Sequence, residues 1–412
     1  MDKVICVIDL KSFYASCECV ARNLDCFTTP LVCCDPYRSD SSVVMSVSPY
    51  LKKKYHIPNV CRKRDLPNIK GMIYAVPRMS YYLKMQSRVI EIFLRYIAPE
   101  DLYIYSVDEC FLNIGPYLNL YKMSPFELTQ KIMKEIKEEL GLYTTCGAGP
   151  NLFLAKCALD HEGKKNPPYY AYWGKEEVKT KLWNIKPIDK IWGIADGLKN
   201  HLHRIGINSL KQLAVTDDDL LKKEFGIIGN QLKALANGID ESDIRSPYIP
   251  RDKSLSLGQT LKRPYSFSEG KLLLREMVDD LTGRLREKNF LTRQISLYVG
   301  YNQGARNKMM TLAYPTDSRK QLFDEVLYLY EVLKSDDTFR QLSLSYADLK
   351  ESPTIQQSLF STYEDDIKQE RIDKAIDNIQ RTFGKNAVMR CSSLKEYSTY
   401  RQRNNQIGGH RE

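Results

Sequence analysis

Two adjacent carboxylates, Asp108 and Glu109, lie between apolar and aromatic runs at 102–105 and 110–114. The flanks predict two short strands meeting at the pair. Such a turn presents carboxylate oxygens at a sheet edge, where they could hold a hard cation. An isolated Asp-Glu at a strand end is ordinary on turn preferences alone. Asp9 offers it a partner. It closes an apolar run at 4–8, the pattern of a strand covered on both faces. An Asp there could equally cap the helix that starts near Phe13 and Tyr14. The segment 50–64 carries six Lys or Arg and no acid, and Lys164-Lys165 adds two more cations. Beside metal-holding carboxylates, lysines act as point charges on a triphosphate. A lysine triplet alone is a solvated helix face. Carboxylates, metal and lysines suffice for phosphoryl transfer, which needs positioning and charge stabilisation and no protein nucleophile.

The surrounding elements must bring these groups together. Apolar residues Leu83, Val89, Ile90, Phe93 and Leu94 recur at helical spacing over 80–96, and Pro99 ends that helix. Ser124, Pro125 and Glu127 open a second helix that Gly141 closes. Residues 144–149 read as a small-residue strand and 151–160 as a short helix. The order strand, helix, hairpin, helix, strand, helix predicts helices on one face of an antiparallel-containing sheet.

After the basic loop 164–168 the composition shifts. The stretch 188–214 predicts short helices joined by a glycine-bearing hairpin that includes Gly193 and Gly197, and 225–232 resembles a degenerate second copy. Exposed backbone N–H groups in such hairpins bind phosphate without reading bases. A plain helical subdomain is the alternative. A linker at 248–253 precedes a second α+β unit. Its strands are expected at 255–261, 294–301, 309–312 and 340–349, its helices at 269–288 and 319–333. Lys262, Arg263, Arg284, Arg286, Lys288 and Arg293 cluster where strands begin, a pattern suited to a duplex backbone. From 352 the chain turns polar. Ile372, Ile376, Ile379 and Phe383 then mark a narrow amphipathic helix stopped by Gly384. A short strand is expected at 389–394 and disorder over the last dozen residues.

A chain of 412 residues is too long for one core and implies two to four domains. Hydrophobic content of 43% and charged content of 27% are globular values. The formal charge of +10 favours a polyanionic partner, nucleic acid before membrane. No run approaches the roughly 20 apolar residues of a membrane span, and none reads as a secretory signal. The 11 cysteines form no C-x-x-C, which argues against zinc and fits a reducing cytoplasm.

At Asp9, Phe13-Tyr14, Ser106-Val107-Asp108-Glu109 and the hairpin over 192–206, the order of features resembles the Y-family of translesion DNA polymerases. The likeness covers about residues 1–350. The Phe13-to-Glu18 start and the tail resemble the bacterial polymerase V catalytic subunit and its Gram-positive relatives. The resemblance implies an α+β right-hand polymerase. A ferredoxin-like palm would occupy 1–12 and 78–175, small fingers 13–77, and a helix-hairpin-helix thumb 176–247. A little finger would occupy 254–350 and a tail 351–412. It implies that Asp9, Asp108 and Glu109, with the Leu10 carbonyl, hold two Mg²⁺ ions. Phe13 and Tyr14 would contact the nucleotide, Tyr14 as the steric gate against a 2′-hydroxyl. Ser46 and Val44 would lie over the nascent pair. Tyr50, Lys53 and either Lys164 or Lys165 would meet the triphosphate. The family often has Arg at the Lys53 position and commonly Lys at Leu152. The hairpin glycines, Lys262, Arg263 and Arg293 would meet DNA. Gln356, Leu359 and Phe360, in the peptide 356–360, resemble a bacterial sliding-clamp-binding motif. The implied activity is Mg²⁺-dependent, low-fidelity translesion synthesis in DNA-damage tolerance and SOS-type mutagenesis. Its implied setting is the cytoplasm, at the nucleoid, with primer-template DNA, dNTPs, the clamp and an accessory subunit or recombinase filament as partners. A nucleotide cyclase could also carry paired palm carboxylates, and a clamp-recruiting DNA-binding scaffold could carry the hairpins. Neither explains all the features together.

Overall fold

The computed structural model describes residues 3–37, 39–246, 250, 253–351 and 363–411. The chain divides into two compact units, Met1–Pro247 and Tyr248–Arg411.

The first unit is built on a five-stranded sheet. Its strands are β1 (Ile5–Leu10), β2 (Leu102–Ile104), β3 (Glu109–Asn113), β4 (Thr144–Gly149) and β5 (Tyr170–Tyr172), in the order β5-β4-β1-β3-β2. The central strand β1 runs antiparallel to both β3 and β4, and β5 runs parallel to β4. Residues Ile5 to Val7 are fully buried, which is why this continuous apolar run takes the middle of the sheet. Helices cover both faces of β1, not one face as the element order suggested. Ile5 and Val7 pack with Phe111, Leu152, Ala155 and Leu159. On the other side, Cys146 meets Cys6 and Thr129.

The helices follow from their stop and start signals. They are α1 (Phe13–Val20), α2 (Pro49–Tyr55), α3 (Met79–Phe93), α4 (Pro125–Leu140) and α5 (Leu152–Ala158). Ser124 and Glu127 cap α4 reciprocally, Pro125 takes its first position, and Gly141 ends it at φ 68°. Asn151 caps α5 through Leu154 N. A π-helical turn, Leu159–Gly163, then carries the chain toward Lys164. The sheet accepts α5 closely only because β4 is glycine-bearing. A Cβ on Gly147 would lie 2.2 Å from the Ala155 carbonyl oxygen.

Beyond β5, four short helices share one apolar core with Phe153 and Leu154: α6 (Asp196–Arg204), α7 (Leu210–Val215), α8 (Asp218–Phe225) and α9 (Ile227–Ala236). Gly206 (φ 85°) turns α6 into α7, and Gly226 (φ 62°) turns α8 into α9.

The second unit is a four-stranded antiparallel sheet in the order β6-β9-β7-β8, with β6 (Leu255–Tyr265), β7 (Phe290–Tyr301), β8 (Gly304–Thr316) and β9 (Phe339–Glu351). Helices α10 (Phe267–Glu287) and α11 (Arg319–Val332) bury their apolar stripes in its core. Strand β8 runs well beyond the predicted 309–312. It is an edge strand with mostly exposed residues, so it carries no apolar alternation to read.

In the C-terminal segment the expected helix forms, while among the described residues the expected strand and the expected disorder of the last dozen residues do not appear. The helix predicted from its isoleucines forms as α12 (Tyr363–Phe383) and stops at Gly384, φ 91°. It faces the body with acids. Asp377 bonds Arg286 of α10 and Arg319 of α11, and Asp373 lies 3.5 Å from Arg286. Ile372, Ile379 and Phe383 stay exposed. The expected strand at 389–394 is a 3₁₀ turn, Cys391–Leu394, whose backbone bonds locally, Ser393 N donating to the Arg390 carbonyl at 2.9 Å, while the Arg390 side chain pairs with Asp279. The last residues are ordered as α13 (Tyr400–Asn404) and a small hairpin, Gln406–Ile407 with His410–Arg411. They are held to α10, where buried Glu276 accepts from Ser398 Oγ at 2.6 Å and its carbonyl accepts from Arg403. The clamp-like peptide 356–360 lies outside the described residues, as do most residues of the 248–253 linker. Among the described residues no helix is long and apolar enough to cross a membrane. All cysteines are free thiols; Cys391 is exposed, Cys61 half-buried and the others buried.

Candidate active site

Strand pairing alone brings the carboxylates together. In the β1–β3 register Asp9 stands directly opposite Glu109, so both side chains fall on the same face. Asp108 precedes Glu109 in the turn, and its carbonyl accepts from Leu10 N at 2.8 Å. Ser106 fixes the turn. Its hydroxyl donates to Asp108 Oδ1 at 2.7 Å, its amide donates to the Glu109 carbonyl, and its own carbonyl accepts from Gln86 of α3.

Helix α5 and the turn after it supply cations to this face. Lys156 Nζ lies 2.7 Å from Glu109 Oε1 and donates to Oε2 at 2.8 Å. It also lies 3.2 Å from Asp160. Lys164 Nζ bridges Asp160 at 2.9 Å and Asp9 Oδ2 at 3.0 Å. Charges therefore alternate from Glu109 through Lys156, Asp160 and Lys164 to Asp9. The structure brings Lys164 to the carboxylates and leaves Lys165 exposed. Lys156 escaped the sequence reading, although the spacing Lys156, Asp160, Lys164 placed three charges on one helical face.

The electrostatics are those of a partly desolvated anionic cluster. Burial pushes the Asp9 carboxyl above its usual range, and Asp108 adds to this, against the pull of Lys164. Burial likewise raises Glu109, against Lys156. Asp9 and Asp160 hold the Lys164 ammonium above its usual range despite burial. On α2, Lys52 is half-buried, and burial lowers it to about 8 in the field of Asp9, Lys11, Lys164 and Asp108. Lys53, the residue singled out in the sequence, is exposed. Tyr50 accepts from Lys54 at 2.9 Å. Nothing in three successive lysines marks which one faces the carboxylates.

The oxygen-only, anionic donor set of Asp9, Asp108 and Glu109 suits a hard divalent cation. As they stand, no three Asp, Glu, His or Cys side chains among the described residues close on one point tightly enough to hold an ion. Lys156 and Lys164 pair with Glu109 and Asp9 instead, so a cation bound between Asp9 and Asp108 would take the place of the Lys164 ammonium on Asp9.

Around the cluster, Ser12 turns the chain through a left-handed conformation (φ 49°) that aims α1 away from β1. Phe13 is buried and Tyr14 half-buried, with its ring 4.8 Å from that of Tyr82. Val44 and Ser46 are buried, and Ser46 Oγ makes no hydrogen bond among the described residues.

The expected DNA-contacting residues fall in both units. A Cβ on Gly193 or Gly197 would meet nothing within 4 Å, so the backbone there is open to close approach. In the second unit, Lys262 is exposed. Arg263 pairs with Glu269 at 2.6 Å and stacks on Tyr265, and Arg293 donates to the Leu312 carbonyl at 3.4 Å. Arg284 is paired with Asp280, and Arg286 is consumed by Asp373 and Asp377. Arg286 is thus an internal anchor rather than part of a duplex-facing row.

Residues 8–160 match the impB/mucB/samB family, and residues 252–359 match the impB/mucB/samB family C-terminal domain. UvrX of Bacillus subtilis (strain 168), whose name assigns it to UV-damage repair, is 33% identical over 99% of this chain and 98% of its own length. DNA polymerase IV 2 of the same organism is 30% identical over 99% of each chain. A solved chimera of the Y-family DNA polymerases Dbh and Dpo4 superposes with a TM-score of 0.67 at 20% identity, covering 85% of this chain and all of the chimera. That likeness shows a shared fold, with its palm, fingers, thumb and little finger.

Proposed function

The chain belongs to the impB/mucB/samB family and is a Y-family, DNA-directed DNA polymerase of translesion synthesis, and from that premise we propose that Asp9, Asp108 and Glu109 are its catalytic carboxylates. The observation that carries the assignment is the register that sets Asp9 opposite Glu109, with Asp108 bonded through its carbonyl to the next residue of β1. In this reading palm, fingers, thumb and little finger have the boundaries given above.

Two Mg²⁺ ions held by these carboxylates and the Leu10 carbonyl would activate the primer 3′-hydroxyl and neutralise the departing pyrophosphate. The chain's own residues supply the rest. Lys164 moves from Asp9 to the triphosphate. Lys156 stays buried beside Glu109 and holds its carboxylate in place. Tyr50, Lys53 and the half-buried Lys52 of α2 neutralise the triphosphate from the other side. Tyr14 lies under the sugar with Phe13 behind it, and Ser46 offers its unpaired hydroxyl over the nascent pair. Gly193 and Gly197 let backbone amides approach a DNA phosphate, and Lys262, Arg263 and Arg293 meet the duplex from the little finger. Gln356, Leu359 and Phe360 anchor the chain to the bacterial sliding clamp. An accessory subunit or recombinase filament is a further partner, and the cytoplasmic nucleoid the place of action.

The test is primer extension by Asp108→Ala/Glu109→Ala. Extension should vanish while primer-template affinity stays within about threefold, because phosphate contacts elsewhere carry DNA binding. Undiminished extension would reject the assignment.

A further inference from the structure

Beneath Tyr14, helices α1 and α3 are joined by a buried side-chain cluster that the chemistry above does not use. Glu18 follows Tyr14 by one helical turn and has no exposed surface. Its carboxylate accepts from Tyr82 Oη at 2.8 Å and from Arg78 Nε and Nη2 at 2.9 and 3.0 Å. Arg22 donates to it as well. The Tyr82 hydroxyl also lies 3.1 Å from Cys33 Sγ. Burial pushes the Glu18 carboxyl up, yet the hydrogen bonds from Arg78, Arg22 and Tyr82 outweigh it and hold it below the usual carboxylate range. Glu18 is therefore an anion, fully supplied with donors.

Tyr82 carries this fixed point to Tyr14. It is fully buried, and its ring centroid lies 4.8 Å from that of Tyr14 at a tilt of 35°. Phe13 flanks both rings at 5.6 and 6.4 Å. Tyr82 backs the Tyr14 ring, and displacing Tyr82 would break its hydrogen bond to Glu18 in a close-packed interior.

We propose that Glu18, acting through Tyr82, is a positioning residue that sets how far the Tyr14 ring projects beneath the incoming sugar, and so sets the discrimination between deoxyribonucleotides and ribonucleotides. This rests on Tyr14 being the sugar gate. A gate of this kind works by building a clash against the unwanted ligand. Contact repulsion rises steeply with overlap, so a small withdrawal of the ring relieves the 2′-hydroxyl clash while barely changing contacts with a deoxyribose.

The test compares incorporation of one dNTP and its matching rNTP by wild type, Tyr14→Ala, Tyr82→Phe and Glu18→Gln. Tyr82→Phe keeps the ring and removes only the hydroxyl. It should raise the rNTP-to-dNTP ratio of kcat/KM by about three- to tenfold, the scale of one lost hydrogen bond, with dNTP incorporation within about twofold of wild type. Glu18→Gln should shift the ratio further, since Arg78, Arg22 and Tyr82 all lose a charged acceptor. If Glu18→Gln does not fold, Tyr82→Phe carries the test alone. A wild-type ratio in Tyr82→Phe, beside a relaxed ratio in Tyr14→Ala, overturns the positioning role and leaves the gate intact. A wild-type ratio in Tyr14→Ala overturns the gate itself and this role with it.

Discussion

Lys156 and Lys52 show how single side chains tune the carboxylate cluster. Lys156 is almost wholly buried against Glu109, and removing one partner of such a pair leaves the other charge uncompensated. Lys156→Met should lower the stability of the metal-free protein by about 2–4 kcal/mol in urea. The deficit should shrink when millimolar Mg²⁺ is present, because a divalent cation can then satisfy Glu109; an equal deficit with and without Mg²⁺ would contradict this. Lys52 has its ammonium pulled down to about 8, chiefly by burial. It is charged below that pH and loses its charge above it, so attraction for a triphosphate falls as pH rises through about 8. The kcat/KM for dNTP, which reports groups of the free enzyme, should decline there, and Lys52→Arg, which keeps its charge, should flatten the decline.

The elements that hold these side chains are set by small residues and stop signals. Gly147 is where β4 and α5 touch, with room for no Cβ. Gly147→Ala should cost about 1–3 kcal/mol by overpacking, and should displace Lys156 and Lys164 along with the helix. A thermal melt and a primer-extension assay check the two effects. Apolar runs, the small residues of 144–149, the Ser124–Glu127 box and Gly141 made four of the five strands and α4 legible in the sequence; the three-residue β5 was not. The resemblance also implied Asp9, Asp108 and Glu109 together with one of two adjacent lysines, but which of Lys164 and Lys165 turns toward Asp9 was not legible. What escaped was whatever does not bury an apolar face. Edge strand β8 exposes most of its residues and offers no period of two. Helix α12 has a readable isoleucine stripe, but it docks by Asp373 and Asp377, a contact visible only once Arg286 and Arg319 are placed across from it. Three successive lysines on α2 likewise give no sign of which one turns inward.

At the scale of the whole molecule, the second unit is completed by its C-terminus. Residues 363–411 lie beyond the matched family domain, which ends at 359, yet they supply the counter-charges for Arg286 and Arg319. Arg319 is only 6% exposed, while Asp377 is 25% exposed, so solvent screens part of the loss when the acid is neutralised. Asp377→Asn should therefore destabilise the second unit by about 1–3 kcal/mol, less than a fully buried pair. Truncation after 351 should cost more, since it removes Asp373 and the donors to Glu276 as well. Urea titrations of the full chain and the truncated form should show both losses.

The thiols offer a way to watch that docking directly. Of the cysteines, Cys391 alone is exposed, and it sits beside Arg390, which grips Asp279 on α10. With the half-buried Cys61 replaced by Ser, a maleimide fluorophore added under native conditions would therefore collect at Cys391. Its anisotropy would follow release of the C-terminal segment from α10, as a signal separate from the tryptophan emission of the first unit, where Trp173, Trp183 and Trp192 all lie.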